Sequence, residues 1–218
     1  MFNTVLWDHD GVLVDTERLY YRATDEVLAR FGVQLGFEQY RQFHLVEARG
    51  SWHLITSRGA SNRTVAVLRR ERNEIYRRML LGSEVVVPGA MDLLRRLRPR
   101  YLMAIVTSAE RVHFDTIHER TGLRGLVDFV LTREDYGECK PHPEPYLAAV
   151  ERFGAAKSDC VVVEDSQRGM IAAKAAGLAC WMVYSDMTAG MDFSAADRRF
   201  DSLADLGEAL QADQNSVS

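Results

Sequence analysis

FNTVLWDHDG, residues 2–11, joins a short apolar run to two aspartates and a glycine. The run over residues 2–7 is rich in residues that favour β-strands, and it stops at residues that favour turns. It therefore predicts a buried strand that ends in a turn at Asp8-His-Asp-Gly11. A calcium-binding loop is excluded, because the glycine stands at the fourth position of this motif rather than the sixth, and because a strand rather than a helix precedes it.

Beyond residue 85, short apolar runs alternate with helical patterns of about ten residues. The apolar runs predict strands over residues 101–106, 127–131, 160–163 and 179–183. The helical patterns cover residues 90–97, 111–121, 143–153 and 167–176. This alternation is typical of an α/β protein with a Rossmann-like, doubly wound parallel sheet that helices cover on both faces.

The segment between these two regions has a helical period and no strand-like run. Apolar residues recur at four-residue steps from Leu19 to Phe31, and further helical stretches cover residues 37–58 and 64–81. An all-helical insertion therefore follows the first strand. We expect an α/β core of residues 1–15 and 86–210, a helical insertion of residues 16–85, and a frayed polar tail of residues 211–218.

The composition is that of an ordinary globular protein: the 218 residues are 47% hydrophobic and 27% charged, with a formal net charge of −4. No apolar run approaches the roughly 18 residues that span a membrane, and no secretion signal is visible, so we expect no membrane partner. The three cysteines lack C-x-x-C spacing, which argues against a disulfide framework or a zinc site. We therefore expect the protein in the reducing cytoplasm. The sequence has no basic stripe of the kind that binds nucleic acid, so we expect no nucleic-acid partner. A monomer is the default expectation for the oligomeric state.

Acids, hydroxyls and a lysine follow the predicted strands. Ligands of an open parallel sheet collect outside the carboxyl ends of its strands, so we expect these side chains to converge there. They are Asp8, Asp10, Thr107, Ser108, Lys140, Glu164 and Asp165. Carboxylates aimed at one place repel each other unless a cation joins them, and all-oxygen ligation favours Mg²⁺. A lysine and hydroxyls beside such a cluster indicate a phosphate group.

Each of these residues also has a structural interpretation. Thr107-x-x-Glu110 matches a capping box, Asp165 or Ser166 could cap the helix that follows, and Lys140 could lie in an ordinary loop. No Walker A motif and no G-x-G-x-x-G after a strand is present, which argues against a P-loop NTPase or a dinucleotide site. The attacking group in phosphoryl transfer would then be a carboxylate.

The motifs together resemble the haloacid dehalogenase superfamily. They are Asp8-His-Asp10-Gly-Val-Leu-Val-Asp-Thr16-Glu, Val106-Thr107-Ser108, Lys140-Pro-His-Pro-Glu-Pro-Tyr146 and Val163-Glu164-Asp165-Ser166. All four occur in order, and the resemblance covers essentially residues 1–185. The insertion is similar to the cap of the subgroup that contains phosphoglycolate phosphatases, sugar-phosphate phosphatases and β-phosphoglucomutase.

The resemblance implies a Mg²⁺-dependent phosphatase that acts on a small phosphorylated metabolite, with residues 1–15 and 86–210 as the catalytic core. Asp8 would form an aspartyl-phosphate, and Asp10 would act as general acid and base. Thr107, Ser108 and Lys140 would hold the phosphoryl group. Mg²⁺ would bind the carboxylates of Asp8 and Asp165 and the backbone carbonyl of Asp10, with Glu164 as a ligand directly or through water.

Some residues depart from the family pattern. His9 replaces an aromatic or aliphatic residue; because side chains alternate along an extended segment, we expect its ring to point away from both aspartates and to pack. The candidates for substrate specificity in the insertion are Tyr20, His44, Glu47, Arg49 and Trp52, all of which also fit ordinary helix faces.

Several alternatives stay open. Tyr20 replaces a histidine of the mutase and residues 16–85 hold no lysine, which weakens a β-phosphoglucomutase-like activity without excluding it. Asp10 argues against a dehalogenase, because those enzymes lack the second aspartate. A non-catalytic phosphate-binding protein of the same fold and a signalling receiver domain are the remaining alternatives.

Overall fold

The structure, a computed structural model, describes residues 1–215 of the chain. It divides into two compact units: Met1–Asp15 together with the chain from Val86 onward, and Thr16–Val85. We refer to the second as the inserted unit. Within the described residues, no helix combines the length and the apolar character needed to cross a membrane.

The first unit is built on a parallel sheet. Its strands are β1 Thr4–Trp7, β2 Leu102–Val106, β3 Phe129–Leu131, β4 Cys160–Glu164, β5 Ala179–Val183 and β6 Arg198–Phe200. They lie in the order β3-β2-β1-β4-β5-β6, and each neighbouring pair is parallel. This is the strand order of a Rossmann-like, doubly wound sheet, so the predicted fold class is confirmed. Strand β6 was not predicted.

The helices are α1 Glu17–Ala29, α2 Phe37–Tyr40, α3 His53–Thr56, α4 Asn62–Leu81, α5 Ala90–Leu97, α6 Arg111–His118, α7 Glu144–Phe153, α8 Gln167–Ala175 and α9 Leu203–Asn215. Those of the first unit cover both faces of the sheet, as alternation of side chains along β1 requires. Val5 and Trp7 pack into one core with α5, α6 and α9. Leu6 packs into the other core with α7 and α8.

The described residues of the inserted unit contain helices, but one helix that was predicted to be continuous is interrupted. The expected helix over residues 37–58 is broken: after α2 the chain forms a π-helical turn, Arg41–Val46, and then a loop before α3. Ala48 and Gly50 have left-handed φ angles of 56° and 68°, and the N–H groups of Arg49 and Gly50 both donate to the Phe43 carbonyl at 3.1 Å. This local arrangement ends the helix.

The polar segment after residue 210 was expected to fray, but its first part is helical. Helix α9 continues to Asn215, because the Phe2 N–H donates to Asp213 Oδ2 at 2.8 Å and the Tyr101 hydroxyl donates to the Leu210 carbonyl at 2.6 Å. These bonds anchor the helix to the residues that precede β1 and β2. Residues 216–218 lie outside the described part of the chain.

Candidate active site

The ends of β1, β2 and β4 lie side by side, which brings the polar residues that follow them together. Trp7, the last residue of β1, is in register with Ile105 of β2 and Val163 of β4. Carboxylate oxygens of Asp8, Glu164 and Asp165 lie within 4.8 Å of one another, and all three residues are buried. The predicted convergence of these acids at the carboxyl edge of the sheet is therefore present in the structure.

Lys140 lies among these acids. Its Nζ donates to Asp8 Oδ1 at 2.6 Å, to Glu164 Oε1 at 2.7 Å and to the Val106 carbonyl at 2.9 Å. Burial opposes the charge of this lysine, but the carboxylates of Asp8 and Glu164 outweigh burial and raise its pKa. Lys140 is therefore a cation held in place by two ion pairs and not part of an ordinary loop.

The two acids bound to Lys140 differ in pKa. Burial and the neighbouring Glu164 carboxylate raise the pKa of Asp8 to about 7, despite the opposing effect of Lys140. Burial also acts on Glu164, but Lys140 and hydrogen bonds, including one from Tyr146, lower its pKa. The site therefore keeps Glu164 ionised and leaves Asp8 poised to exchange a proton for another cation.

Glu164 is surrounded by protein donors. Its Oε1 accepts hydrogen bonds from Lys140 and from the Tyr146 hydroxyl, each at 2.7 Å. Its Oε2 accepts from the N–H of Asp165 and from the N–H and hydroxyl of Ser166 at 2.9–3.2 Å. This carboxylate therefore orients Lys140 and the loop after β4, and Tyr146 is a site residue that the sequence analysis did not identify.

Two glycines allow the backbone to approach the carboxylates closely. A Cβ on Gly11 would lie 2.0 Å from Asp165 Oδ2, and Gly11 has a φ of 87°. A Cβ on Gly169 would lie 1.7 Å from Glu164 Oε1. Glycine is required at both positions because any side chain would displace a carboxylate of the site.

The donor set fits a hard divalent cation. Asp8 and Asp165 supply oxygen ligands of the kind that Mg²⁺ prefers, and the three buried carboxylates outnumber the single lysine among them. Because Glu164 already accepts five hydrogen bonds, Asp8 and Asp165 are better placed to bind an ion directly.

Thr107 lies beside Asp10 and does not cap a helix. Its Oγ1 donates to Asp10 Oδ2 at 3.2 Å and accepts from the Ala109 N–H at 3.0 Å. The capping-box interpretation is wrong, because α6 begins at Arg111 with Glu110 as its N-cap residue. Ser108 is exposed beside Thr107.

The capping interpretation is correct for the helix after β4. Ser166 is the N-cap residue of α8, and its hydroxyl accepts a hydrogen bond from the Gly169 N–H at 3.1 Å. Asp165, in contrast, lies in the carboxylate cluster.

His9 packs in the core, but its ring does not point away from both aspartates as expected. It is completely buried against Phe114, with ring centroids 5.0 Å apart, and its Nδ1 lies 3.1 Å from Asp10 Oδ2. The alternation fails because the chain leaves the extended conformation here: the N–H groups of Leu13 and Val14 donate back to the His9 carbonyl at 2.9 and 3.1 Å.

Three of the specificity candidates surround Arg72 in the inserted unit. The Arg72 guanidinium lies 4.1 Å from the Tyr20 ring centroid and 5.8 Å from that of Trp52. Burial, with a smaller effect of the Arg72 charge, lowers the pKa of His44 to about 4. Arg72 was missed, although it occupies the same helical face as Leu68 and is itself buried.

The other two candidates form an exposed pair. Arg49 donates to the Glu47 carboxylate, and its guanidinium lies 4.3 Å from the Phe43 ring centroid. The partners of Arg49 therefore lie in the π-helical turn and in the loop that follows it.

Comparison with known proteins points to one family. Residues 2–177 match the model of the haloacid dehalogenase-like hydrolases. Fructose-1-phosphate phosphatase YqaB of Escherichia coli is 30% identical over 179 residues, which cover 80% of this chain and 92% of that protein. The putative phosphatase YhcW of Bacillus subtilis is 29% identical, with 98% and 97% covered. The crystal structure of CbbY from Rhodobacter sphaeroides in complex with phosphate is 27% identical, has a TM-score of 0.79 and covers 95% of this chain and 97% of its own.

The family match extends over most of the chain, including the strand ends that carry the acidic cluster. It confirms the resemblance to the haloacid dehalogenase superfamily that the four motifs indicated. The protein therefore belongs to the haloacid dehalogenase-like hydrolase family and is an enzyme of that family.

Proposed function

We propose that this enzyme is a Mg²⁺-dependent phosphatase that hydrolyses a small sugar phosphate or a similar phosphorylated metabolite through an aspartyl-phosphate. The observation that carries the proposal is the convergence of Lys140 with the carboxylates of Asp8, Glu164 and Asp165 at the carboxyl edge of the sheet. The names of relatives, such as the fructose-1-phosphate phosphatase of E. coli, support a sugar phosphate as substrate.

Asp8 is the nucleophile in this proposal. A carboxylate oxygen of Asp8 forms a bond to phosphorus while the bond between phosphorus and the substrate oxygen breaks. Lys140 holds Asp8 Oδ1 at 2.6 Å, which fixes the direction in which the carboxylate faces. Because the side chain of Asp8 is only 12% exposed, few water molecules compete with the substrate for it.

Asp10 transfers the protons. It gives a proton to the departing substrate oxygen and then accepts one from the water that attacks the phosphorus of the aspartyl-phosphate. The second step breaks the bond between phosphorus and the Asp8 oxygen and releases inorganic phosphate. The side chain of Asp10 is 27% exposed, so it is more accessible to substrate and water than that of Asp8.

Thr107, Ser108 and Lys140 bind the phosphoryl group. The Thr107 hydroxyl and the Ser108 backbone N–H are hydrogen-bond donors that suit phosphoryl oxygens. The Lys140 ammonium, whose three N–H groups already have acceptors, supplies a fixed positive charge beside them. Asp8, Asp165 and the Asp10 carbonyl would hold Mg²⁺, with Glu164 at most through water, and the ion would supply additional positive charge to offset the negative charge of the transferring group.

The function is tested with p-nitrophenyl phosphate and fructose 1-phosphate, each with Mg²⁺ and with EDTA. We expect Mg²⁺-dependent release of inorganic phosphate, which Asp8→Asn abolishes. Asp92→Asn is the matched control, because the Asp92 side chain is 78% exposed and pairs only with Arg95 among the ion pairs of the described residues. Absence of turnover in a folded wild-type protein would favour a non-catalytic binding protein, and an isomerised sugar phosphate without free phosphate would favour a mutase.

A further inference from the structure

A row of hydrogen bonds connects Asp10 to residues that the proposed function does not use. His9 Nδ1 lies 3.1 Å from Asp10 Oδ2, His9 Nε2 lies 2.8 Å from His118 Nε2, and His118 Nδ1 lies 2.7 Å from Thr121 Oγ1. His9 is completely buried and His118 is 8% exposed. The turn after β1, the last residue of α6 and the segment that follows α6 thus meet beside Asp10.

The chemistry of the partners determines which ring nitrogens carry hydrogen. The Thr121 hydroxyl oxygen already accepts from the Leu123 N–H at 3.3 Å, so its hydrogen is available to His118 Nδ1. His118 then carries its own hydrogen on Nε2, which donates to His9 Nε2. The hydrogen of His9 is therefore on Nδ1, where it donates to Asp10 Oδ2. With this assignment both nitrogens of each ring have a partner.

Packing keeps the two rings in place. The Phe114 ring centroid lies 5.0 Å from that of His9 and 4.3 Å from that of His118. Burial lowers the pKa of His118 to about 3, so this ring stays neutral in the working range of the proposed enzyme. A rotated ring would leave buried nitrogen atoms without partners, which disfavours other orientations.

We propose that His118 is a positioning residue that acts on Asp10 through His9. By donating to His9 Nε2, His118 selects the His9 tautomer that carries its hydrogen on Nδ1, and this hydrogen holds Asp10 Oδ2. Thr107 donates to the same oxygen at 3.2 Å. In the proposed function the Thr107 hydroxyl turns to a phosphoryl oxygen, and the His9 hydrogen still holds the Asp10 carboxyl group. The inference rests on the proposed function of Asp10 as the proton donor to the departing oxygen.

The test compares two substrates of similar size that differ in their need for a proton donor. Phenoxide is a much more basic leaving group than p-nitrophenoxide, so phenyl phosphate depends more strongly on general acid catalysis. His118→Phe keeps a ring but removes the donor, and kcat/KM for phenyl phosphate should fall on the order of tenfold further than kcat/KM for p-nitrophenyl phosphate. His118→Gln keeps an N–H donor and should retain the wild-type ratio of the two values.

A merely structural role for His118 would lower both kcat/KM values by the same factor, and this result would overturn the inference. If His118→Phe does not fold, Thr121→Val provides the test, because it removes the hydroxyl hydrogen that His118 Nδ1 accepts at a half-buried position. It should change the ratio in the same direction by a smaller factor, and an unchanged ratio would count against the proposal.

A spectroscopic measurement separates this inference from the proposed function. Long-range ¹H–¹⁵N spectra of the wild type should show hydrogen on Nε2 of His118 and on Nδ1 of His9. The opposite tautomers would overturn the inference even in an active phosphatase. A wild type without activity on either aryl phosphate would refute the proposed function, and with it the role assigned to His118.

Discussion

Replacing Lys140 by methionine tests whether this lysine holds the acidic cluster together. Methionine nearly preserves the volume of the side chain but removes a buried charge that makes three hydrogen bonds, two of them to the carboxylates of Asp8 and Glu164. Removing one partner of a buried ion pair costs about 3–5 kcal/mol, because the remaining charge stays buried. We therefore expect Lys140→Met to lower the free energy of unfolding by about this amount at pH 8 in EDTA.

The loss of stability in Lys140→Met should depend on pH. Without Lys140, burial and mutual repulsion raise the pKa of Glu164 as well as that of Asp8, so the folded variant binds about one proton more than the folded wild type. The unfolded chains are equally ionised above about pH 5, so lowering the pH favours the folded variant. The difference in stability between variant and wild type should shrink by about 1.4 kcal/mol for each pH unit from pH 8 towards pH 5.

Urea unfolding at several pH values measures both effects. Lys174→Met is the matched control, because Lys174 pairs with Asp197 at 2.7 Å but both side chains are more than one-third exposed; it should cost about 0–1 kcal/mol. Adding Glu164→Gln to Lys140→Met should recover about 1–3 kcal/mol at pH 8 and flatten the pH dependence. A loss that is independent of pH and additive in the double variant would refute the reasoning.

Two further predictions concern Gly11 and the proton on Asp8. Gly11 and Gly89 both have left-handed φ angles, but a Cβ on Gly89 has nothing within 4 Å, whereas one on Gly11 would lie 2.0 Å from Asp165 Oδ2. Gly89→Ala should therefore lower the free energy of unfolding by about 1–2 kcal/mol through backbone strain and leave Mg²⁺ binding intact. Gly11→Ala should in addition weaken Mg²⁺ binding, which calorimetry measures. Equal Mg²⁺ binding in the two variants would contradict this prediction. Burial and Glu164 raise the pKa of Asp8 to about 7, so the folded protein binds a proton that the unfolded chain does not. The metal-free protein should therefore lose stability as pH rises from about 4 to 7. Because Mg²⁺ must displace this proton, its apparent affinity should fall about tenfold per pH unit below 7. Thermal unfolding with and without Mg²⁺ checks both, and a Mg²⁺-induced shift that is the same at pH 5 and pH 7.5 would contradict them.

The sheet could be predicted from sequence because its strands are continuous apolar runs between helical patterns. Cys160–Glu164 and Ala179–Val183 lie between two helical layers, so their apolar character is nearly unbroken. Strand β6 carries Arg198 and Arg199 and is mostly exposed, so it has no such signal. Arg198 covers the ring of Trp181 at 4.8 Å, a contact between distant residues that no local pattern indicates.

The acidic cluster could also be predicted, since it needs only the rule that parallel strands present their carboxyl ends at one edge. The contact between His9 and His118 could not be predicted. It depends on the turn after β1, which places the His9 ring where the alternation of side chains along a strand would not place it. His118 lies at the end of a helix 109 residues away, and nothing near it in sequence marks it as a partner of the first motif. Such contacts are set by tertiary packing, which local propensity does not encode.

The balance of charge explains why the same cluster can be both stable and reactive. The cluster contains three carboxylates and one lysine, and the charge of Glu164 is the best compensated because five donors, Lys140 among them, hold its oxygens. The excess negative charge therefore falls on Asp8 and Asp165, and the raised pKa of Asp8 shows that a proton relieves it when no other cation is bound. A proton on Asp8 would block its attack on phosphorus, whereas a divalent cation relieves the repulsion and leaves a carboxylate lone pair available. An anionic substrate adds further negative charge to the cluster. The proposed chemistry therefore needs the divalent cation to offset this charge, apart from any part that the cation takes in catalysis.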